Sequence, residues 1–345
     1  MNNRPLISFV IPCYNSQDYM EHCISSLIPC GNECEILIVD DGSKDRTGEI
    51  ADEWERKHPG IVKAVHQENK GHGGVINTGM SLAKGIWFKV VDSDDWLNEE
   101  PLQQLMDLLR GFVKDNTLTD LVITNFIYAK KGRKHQKVMQ MTGSIPEGRI
   151  FTWDEFTLKR PDRYMLMHSL LYRTDVLRSS GRVLPEHVFY EDNIFAYQYL
   201  PYVKTLYYLD VNLYSYFIGR EDQSVQESIM IKRIDQQIRI TEIMIDAWHL
   251  STAPETRNEN LHRYMVNDLA MIMTITSVLL IRMHSDEALE RKKKLWEYLR
   301  ETDAATYDEM IEKNVMGRPV SSENPVVLKM DELTYSLSQK LFGFN

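Results

Sequence analysis

The chain opens on short apolar runs separated by polar turns. Leu6-Ile-Ser-Phe-Val-Ile11 is almost continuously apolar and ends at Pro12, which predicts a strand buried on both faces, as in a parallel sheet. Ser16 then offers an N-cap, and Tyr19, Met20, Cys23, Ile24, Leu27 and Ile28 recur at three- and four-residue spacing, predicting an amphipathic helix. The unit repeats. Glu35–Val39 reads as a second strand, Asp40-Asp41-Gly42-Ser43 as its turn, and Thr47 to His58 as a helix with Ile50, Ala51 and Trp54 on one face. Ile61–Val65 is a third strand. The loop Asn69-Lys-Gly-His-Gly-Gly74 opens a helix with Val75, Ile76, Gly79, Leu82 and Ala83 inward, and Gly85 closes it. Trp87–Val91 then runs as a fourth strand into Asp92-Ser-Asp-Asp95, and a helix at Glu99–Val113 precedes a strand at Leu121–Tyr128. Strands alternating with helices imply an α/β fold, a Rossmann-like, mostly parallel sheet with right-handed crossovers and helices on its faces.

From about Gln226 the strand signals stop. Ile231–Leu250, Asn258–His284, Asp286–Glu301 and Thr306–Asn314 read as helices. The apolar stretch Leu269–Ile281 contains Thr274, Thr276 and Ser277 and falls short of the roughly 20 residues that span a bilayer, so it reads as a buried helix. Arg291-Lys-Lys-Lys294 follows Asp286, Glu287 and Glu290 on one helix, which is ordinary dipole and i,i+4 compensation. Leu333, Leu337, Leu341 and Phe344 form an apolar stripe suited to core docking, to a membrane surface or to a second copy of the chain. Since 345 residues exceed what one core usually supports, the chain divides into an α/β region at 1–224, with halves at 1–115 and 116–224, and a helical region at 225–345.

Composition narrows the partners. A chain that is 43% hydrophobic and 26% charged folds as a globular protein. Fifty acidic against 40 basic residues give −10 with no basic arm, which argues against nucleic acid as a main partner; an anionic ligand needs a local device such as a metal ion. No signal-peptide core precedes the first strand, and Cys13, Cys23, Cys30 and Cys34 all lie within the first 34 residues. Both points favour reduced thiols and a cytoplasmic setting, with peripheral contact at the inner face of the membrane through the C-terminal stripe. Cys30 and Cys34 as a metal or redox pair lack His or Cys partners at ligand spacing.

In parallel sheets ligands gather beyond the carboxyl ends of the strands, and the polar clusters fall there: Tyr14-Asn15, Asp40-Asp41 and Asp92-Ser-Asp-Asp95. Each is also ordinary turn chemistry, but acids accumulated on one edge repel. Asp92-x-Asp94 offers the oxygens that Mg²⁺ or Mn²⁺ takes together with phosphate oxygens, and the matching chemistry is charge neutralisation on a departing diphosphate. Asp95 reads as a cap of the following helix. Gly71-His-Gly-Gly74 lets backbone approach a ligand. The Walker-type phosphate loop, the dinucleotide glycine fingerprint, the H-E-x-x-H zinc motif and the G-x-S-x-G elbow do not occur.

At this point the residues resemble a known group. Ile11-Pro-Cys-Tyr-Asn15, Val39-Asp-Asp-Gly-Ser-Lys-Asp45, Asn69-Lys-Gly with Asn77-Thr-Gly79, and Val91-Asp-Ser-Asp-Asp-Trp-Leu97 are similar to the successive motifs of family 2 glycosyltransferases of the GT-A fold. The resemblance implies a metal-dependent, inverting enzyme that moves a sugar from a nucleotide-diphosphate sugar, commonly a UDP-sugar, to a hydroxyl of a glycan, teichoic-acid-like or lipid-linked acceptor. On that reading Tyr14 packs on the base, Asp41 or Asp40 bonds base or ribose, Asn77 and Gly79 line the nucleotide pocket, Asp94 binds Mn²⁺ or Mg²⁺, and Asp92 contacts ribose or supports the ion. Pro12, Asn15 and Ser93 belong to the same edge. Where many relatives carry Ala-Arg-Asn-x-Gly, this chain reads Val75-Ile-Asn-Thr-Gly79; His72 or Lys70 then stands in for the missing arginine, or both are solvated.

Further along, His187-Val-Phe-Tyr-Glu-Asp192 precedes a helix at Asn193–Leu200. The resemblance implies Asp192 as catalytic base and Glu191 as its orienting or acceptor-binding partner; acids at a helix N-terminus are also favoured by its dipole. His168 faces the acceptor on this reading, or is a core residue beside Met and Leu. Arg220 covers the diphosphate or pairs with Glu221 or Asp222. Two other functions compete: a catalytically silent nucleotide-sugar-binding module, and an enzyme making nucleotide sugars, which is weakened because the Gly/Arg/Lys-rich signature of nucleotidyltransferases is missing. Oligomerisation through the C-terminal helices is a further expectation.

Overall fold

A computed structural model of the chain describes residues 4–130, 136–157, 163–218, 227–251, 258–313 and 321–322. The four strands expected first are there: β1 (Ile7–Cys13), β2 (Cys34–Asp40), β3 (Val62–His66) and β4 (Trp87–Val90). Every residue of β1, β2 and β4 is buried, as a strand covered on both faces requires. They run parallel in the order β3-β2-β1-β4, so their carboxyl ends open on one edge. Helices α1 (Met20–Leu27), α2 (Thr47–Lys57) and α3 (Gly71–Leu82) make the crossovers. Ser16 does not cap α1 with its side chain. Its carbonyl accepts from the Tyr19 and Met20 amides, while its hydroxyl turns to Ser93.

The rest of the sheet is mixed rather than parallel. Short β5 (Trp96–Leu97), α4 (Glu99–Asp115), β6 (Leu121–Lys130), β7 (Lys137–Met139), β8 (Ile150–Phe151), β9 (Leu170–Arg173), helices α5 (Thr174–Ser179) and α6 (Glu191–Tyr197), and the long β10 (Leu206–Ile218) complete it. β9 lies antiparallel between β4 and β6, β10 parallel to β6, and β5 antiparallel on β10. One apolar core unites Phe9 and Ile11 of β1, Ile36 and Ile38 of β2, Met20 and Ile24 of α1, and Leu102, Leu105, Met106 and Leu109 of α4.

The chain divides into two units, residues 1–219 and 220–345. The second is helical: α7 (Glu227–Lys232), α8 (Ile234–Ser251), α9 (Glu259–Arg282), α10 (Asp286–Thr302) and α11 (Ala304–Lys313). The sequence periodicity merged α7 and α8. Asn258 caps α9 and Ser285 caps α10 through their side chains. By length and composition α9 passes for a membrane span, with mean hydropathy 1.7 over its apolar window, but 72% of that window is buried. Leu279 and Leu280 pack with Ile234 and Ala288 in the core of this unit. The Leu333/Leu337/Leu341/Phe344 stripe lies outside the described residues.

Candidate active site

The loops after β1 and β2 are laced together. The Asn15 amide donates to Ser43 Oγ (3.0 Å), Asn15 Oδ1 accepts from the Lys44 amide (2.8 Å), and the Ser16 amide donates to Thr47 Oγ1 (2.7 Å). Asn15 adopts φ 50° to do so, a conformation that Asn tolerates better than most residues. Beside this rigid brace Tyr14 stands 54% exposed. It is an aromatic face held open at the end of β1. Pro12 is buried within β1.

Asp40 and Asp41 shape the edge from inside. Asp40 accepts from the Ser43 amide and approaches His66 Nδ1 at 3.2 Å. Asp41 is 2% exposed; its carboxylate accepts from Gln67 Nε2 (2.6 Å) and from the amides of Lys70 (2.9 Å) and Gly71 (2.8 Å). It thereby fixes the start of α3 at Gly71, within the segment that the sequence pattern assigns to a loop. Asn77 is exchanged for structure as well: its side chain donates to the Leu184 carbonyl and accepts from the Leu184 amide, both at 2.9 Å. A Cβ on Gly79 would sit 2.6 Å from Val10, so this glycine serves helix–strand contact. These contacts within the chain occupy three residues expected at the nucleotide. The glycine run has the same character. A Cβ on Gly71 would lie 2.8 Å from the His187 amide, and one on Gly73 would lie 2.4 Å from the Pro185 carbonyl oxygen; the backbone that approaches is the chain's own. Lys70 Nζ lies 3.9 Å from Glu186.

At the end of β4 the structure draws Asp92, Asp95 and His168 together, with one ligand atom of each within 4.8 Å of the others. Asp94, expected as a metal ligand, is not one of the three. Asp95 does not cap α4, whose N-cap position is Asn98. It is fully buried and accepts from Tyr214 Oη (2.6 Å) and the Phe217 amide (2.7 Å), binding the loop to β10. Burial, then Asp94 and Asp92, push its carboxyl well above the usual range. His168 is 4% exposed among Phe126, Tyr214 and Tyr216. Neither ring nitrogen has a hydrogen-bond partner, and Nε2 lies 3.5 Å from Asp92 Oδ2. A buried imidazole left unsatisfied costs free energy; two carboxylates and an imidazole facing one point are a donor set that Mn²⁺ accepts. The residues therefore fit a divalent cation, with Asp92 and His168 as its holders.

Lys89, in the middle of β4, lies beneath this cluster and is fully buried; Nζ donates to the carbonyls of His168 (2.8 Å) and Leu170 (3.3 Å) and sits 5.2 Å from the Tyr214 ring centre. Burial pulls it down to about 7. A charged residue inside the apolar run Trp87–Val91 was the visible signal for it, read over as strand. Gln67 gave no signal at all.

His72 joins the two halves of the site. Its Nδ1 lies 2.5 Å from Glu191 Oε1 and its Nε2 2.8 Å from Asp92 Oδ1. Burial opposes charge on the ring, but Asp92 and Glu191 overcome it and hold the imidazole well above its usual range. For Asp92 burial acts upward, and the charges of His72 and His168 outweigh it to hold the carboxyl well below the usual range. Glu191 and Asp192 form the first turn of α6 rather than preceding it. Asp192 is half-buried, and burial followed by the charge of Glu191 pushes it up to about 6. Phe189, 43% exposed, flanks the pair and was not foreseen. Cys30 and Cys34 are buried free thiols, and Cys30 is pushed up by its hydrogen bond with Cys34 and by burial. Arg220 lies outside the described residues.

The chain is similar to several known glycosyltransferases. The glycosyltransferase EpsJ of Bacillus subtilis is 29% identical over 219 residues, 61% of this chain and 61% of the relative. The poly(ribitol-phosphate) beta-glucosyltransferase of Bacillus spizizenii is 27% identical over 290 residues, 81% of this chain and 42% of the relative. The matched part thus spans about three fifths of the first relative and less of the second. Among solved structures, residues 1–349 of S. aureus TarS in complex with UDP-GlcNAc superpose with a TM-score of 0.53 at 20% identity, covering 91% of this chain and 90% of that one. The mannosyltransferase PcManGT of Pyrobaculum calidifontis, in complex with GDP-Man and Mn²⁺, superposes with 0.50 at 14% identity, covering 96% and 87%. At these identities the likeness is one of fold, GT-A. The model of glycosyl transferase family 2 matches residues 8–180, from β1 through the Asp92 loop to α5, and on that match the chain belongs to glycosyl transferase family 2.

Proposed function

We propose that the protein is an inverting, metal-dependent glycosyltransferase that takes a sugar from a nucleotide-diphosphate sugar, a UDP-sugar, and places it on a hydroxyl of a glycan, teichoic-acid-like or lipid-linked acceptor. The observation that carries this reading is that one imidazole joins the Asp92 loop to the Glu191–Asp192 pair, setting a diphosphate-side carboxylate beside a candidate base. Tyr14 offers its open face to the base of the nucleotide. Asp92 and His168 would hold a divalent cation, which when bound would offset charge on the departing diphosphate. Asp192 accepts the proton of the acceptor hydroxyl as that oxygen attacks the anomeric carbon from the face opposite the leaving group; the bond to the diphosphate breaks and the configuration inverts. Ligands of the structural neighbours, UDP-GlcNAc and GDP-Man, support a nucleotide-sugar donor, and the Bacillus spizizenii relative supports a polymer acceptor. The setting is cytoplasmic, at the inner face of the membrane where the acceptor is lipid-linked.

The test is slow donor hydrolysis across a panel of nucleotide sugars with Mn²⁺. One donor releases nucleoside diphosphate, chelation stops the release, and Asp92→Ala and His168→Ala each reduce it by about 100-fold or more. A protein that binds donors yet turns over none, even with acceptor extracts present, is a binding module instead.

A further inference from the structure

Glu191 is 3% exposed. A buried carboxylate needs a partner, and the one the structure gives it is His72, from a helix 119 residues earlier in the chain. The same ring reaches Asp92 with its other nitrogen. The two ring nitrogens thus meet one carboxylate each, on opposite sides of a single rigid ring, a span that neither glutamine nor lysine reproduces. His72 stands in the first turn of α3, so the two contacts fix that turn to the start of α6 and to the Asp92 loop. Gly73 makes room for the contact, since a Cβ there would lie 3.2 Å from Glu191 Cγ.

We infer that His72 is a positioning residue that ties the Glu191–Asp192 pair to the Asp92 loop and so sets Asp192 against the acceptor hydroxyl. It acts through Glu191 and touches neither sugar nor nucleotide. The inference rests on the reading of Asp192 as base.

The experiment compares the full chain with its His72→Gln and His72→Ala variants. Transfer kcat falls about 30- to 100-fold in both, while the dissociation constant of UDP with Mn²⁺ changes by less than about threefold. Free imidazole restores part of the rate of His72→Ala and none of that of His72→Gln, whose side chain fills the space. Wild-type kcat in both variants overturns the inference; so does a loss that appears wholly as weaker UDP binding, which would make His72 a nucleotide ligand. A second measurement needs no donor. Amide exchange at Glu191–Asn193 quickens in His72→Ala relative to wild type, and unchanged exchange there overturns the tie. Should wild-type protein transfer nothing from any donor, it is the enzymatic reading that fails, and the exchange result still decides for or against the tie.

Discussion

The carboxyl of Asp192 meets burial, the neighbouring charges of Glu191 and Asp92, and the opposing pull of His168 and His72. Burial and Glu191 win and push it up to about 6. A base must be unprotonated to act, so transfer is flat above that pH and falls about tenfold for each unit below it. Asp192→Asn removes this acidic limb together with about 10²–10⁴-fold of kcat; a limb that persists in the variant assigns it elsewhere. Much at this scale was legible, because Tyr14, Asp92 and Asp192 sit at strand ends or helix starts that local pattern marks. The commitments of Asp41 and Asn77 were not. Asn77 bonds Leu184, 107 residues away, and such a partner leaves no local trace. His168 read more readily as core than as site because its neighbours in sequence are apolar, and only the fold shows that its ring faces Asp92.

At the scale of elements, α3 is the part on which both halves of the site depend. Its start was misread because glycine weakens a helix, and tertiary contact overrode propensity: the segment around Pro185 presses on Gly73 and that around His187 on Gly71. Gly73→Ala places a methyl 2.4 Å from a carbonyl oxygen. It destabilises the protein by about 1–3 kcal/mol in denaturant melts and lowers transfer more than UDP affinity. At the other end of α3, the Arg178 guanidinium donates to the carbonyls of Met80, Ser81 and Ala83, satisfying groups that a helix terminus leaves open. Arg178→Ala costs about 1.5–3 kcal/mol, and unchanged stability would show those carbonyls to be well served by water. The strands were unevenly legible. β1, β2 and β4 are apolar runs punctuated by Pro and Asp. β10 was missed because Asp210 and Asn212 break its alternation at a bulge, where Asn125 donates to both; β9, four residues long, is too brief for any pattern.

On the scale of the whole molecule, every described residue of the site belongs to the unit at 1–219. Ligand binding therefore reports on that unit first. UDP and Mn²⁺ at about 100 times the dissociation constant add about 2.7 kcal/mol to its unfolding, read as slower amide exchange through β1, β2 and β4. Slowing confined to α8–α10 would move the nucleotide site to the other unit. The pressure of the 184–187 segment on Gly71 and Gly73 also constrains how such a chain diversifies. A stretch from α5 to α6 exchanged with a relative arrives shaped for that relative's α3, and without glycines beneath it the new loop collides with the helix. Recombination that changes one without the other yields a protein that does not close its site. The first turn of α3 and the loop before α6 are therefore a matched pair, exchangeable only as one piece.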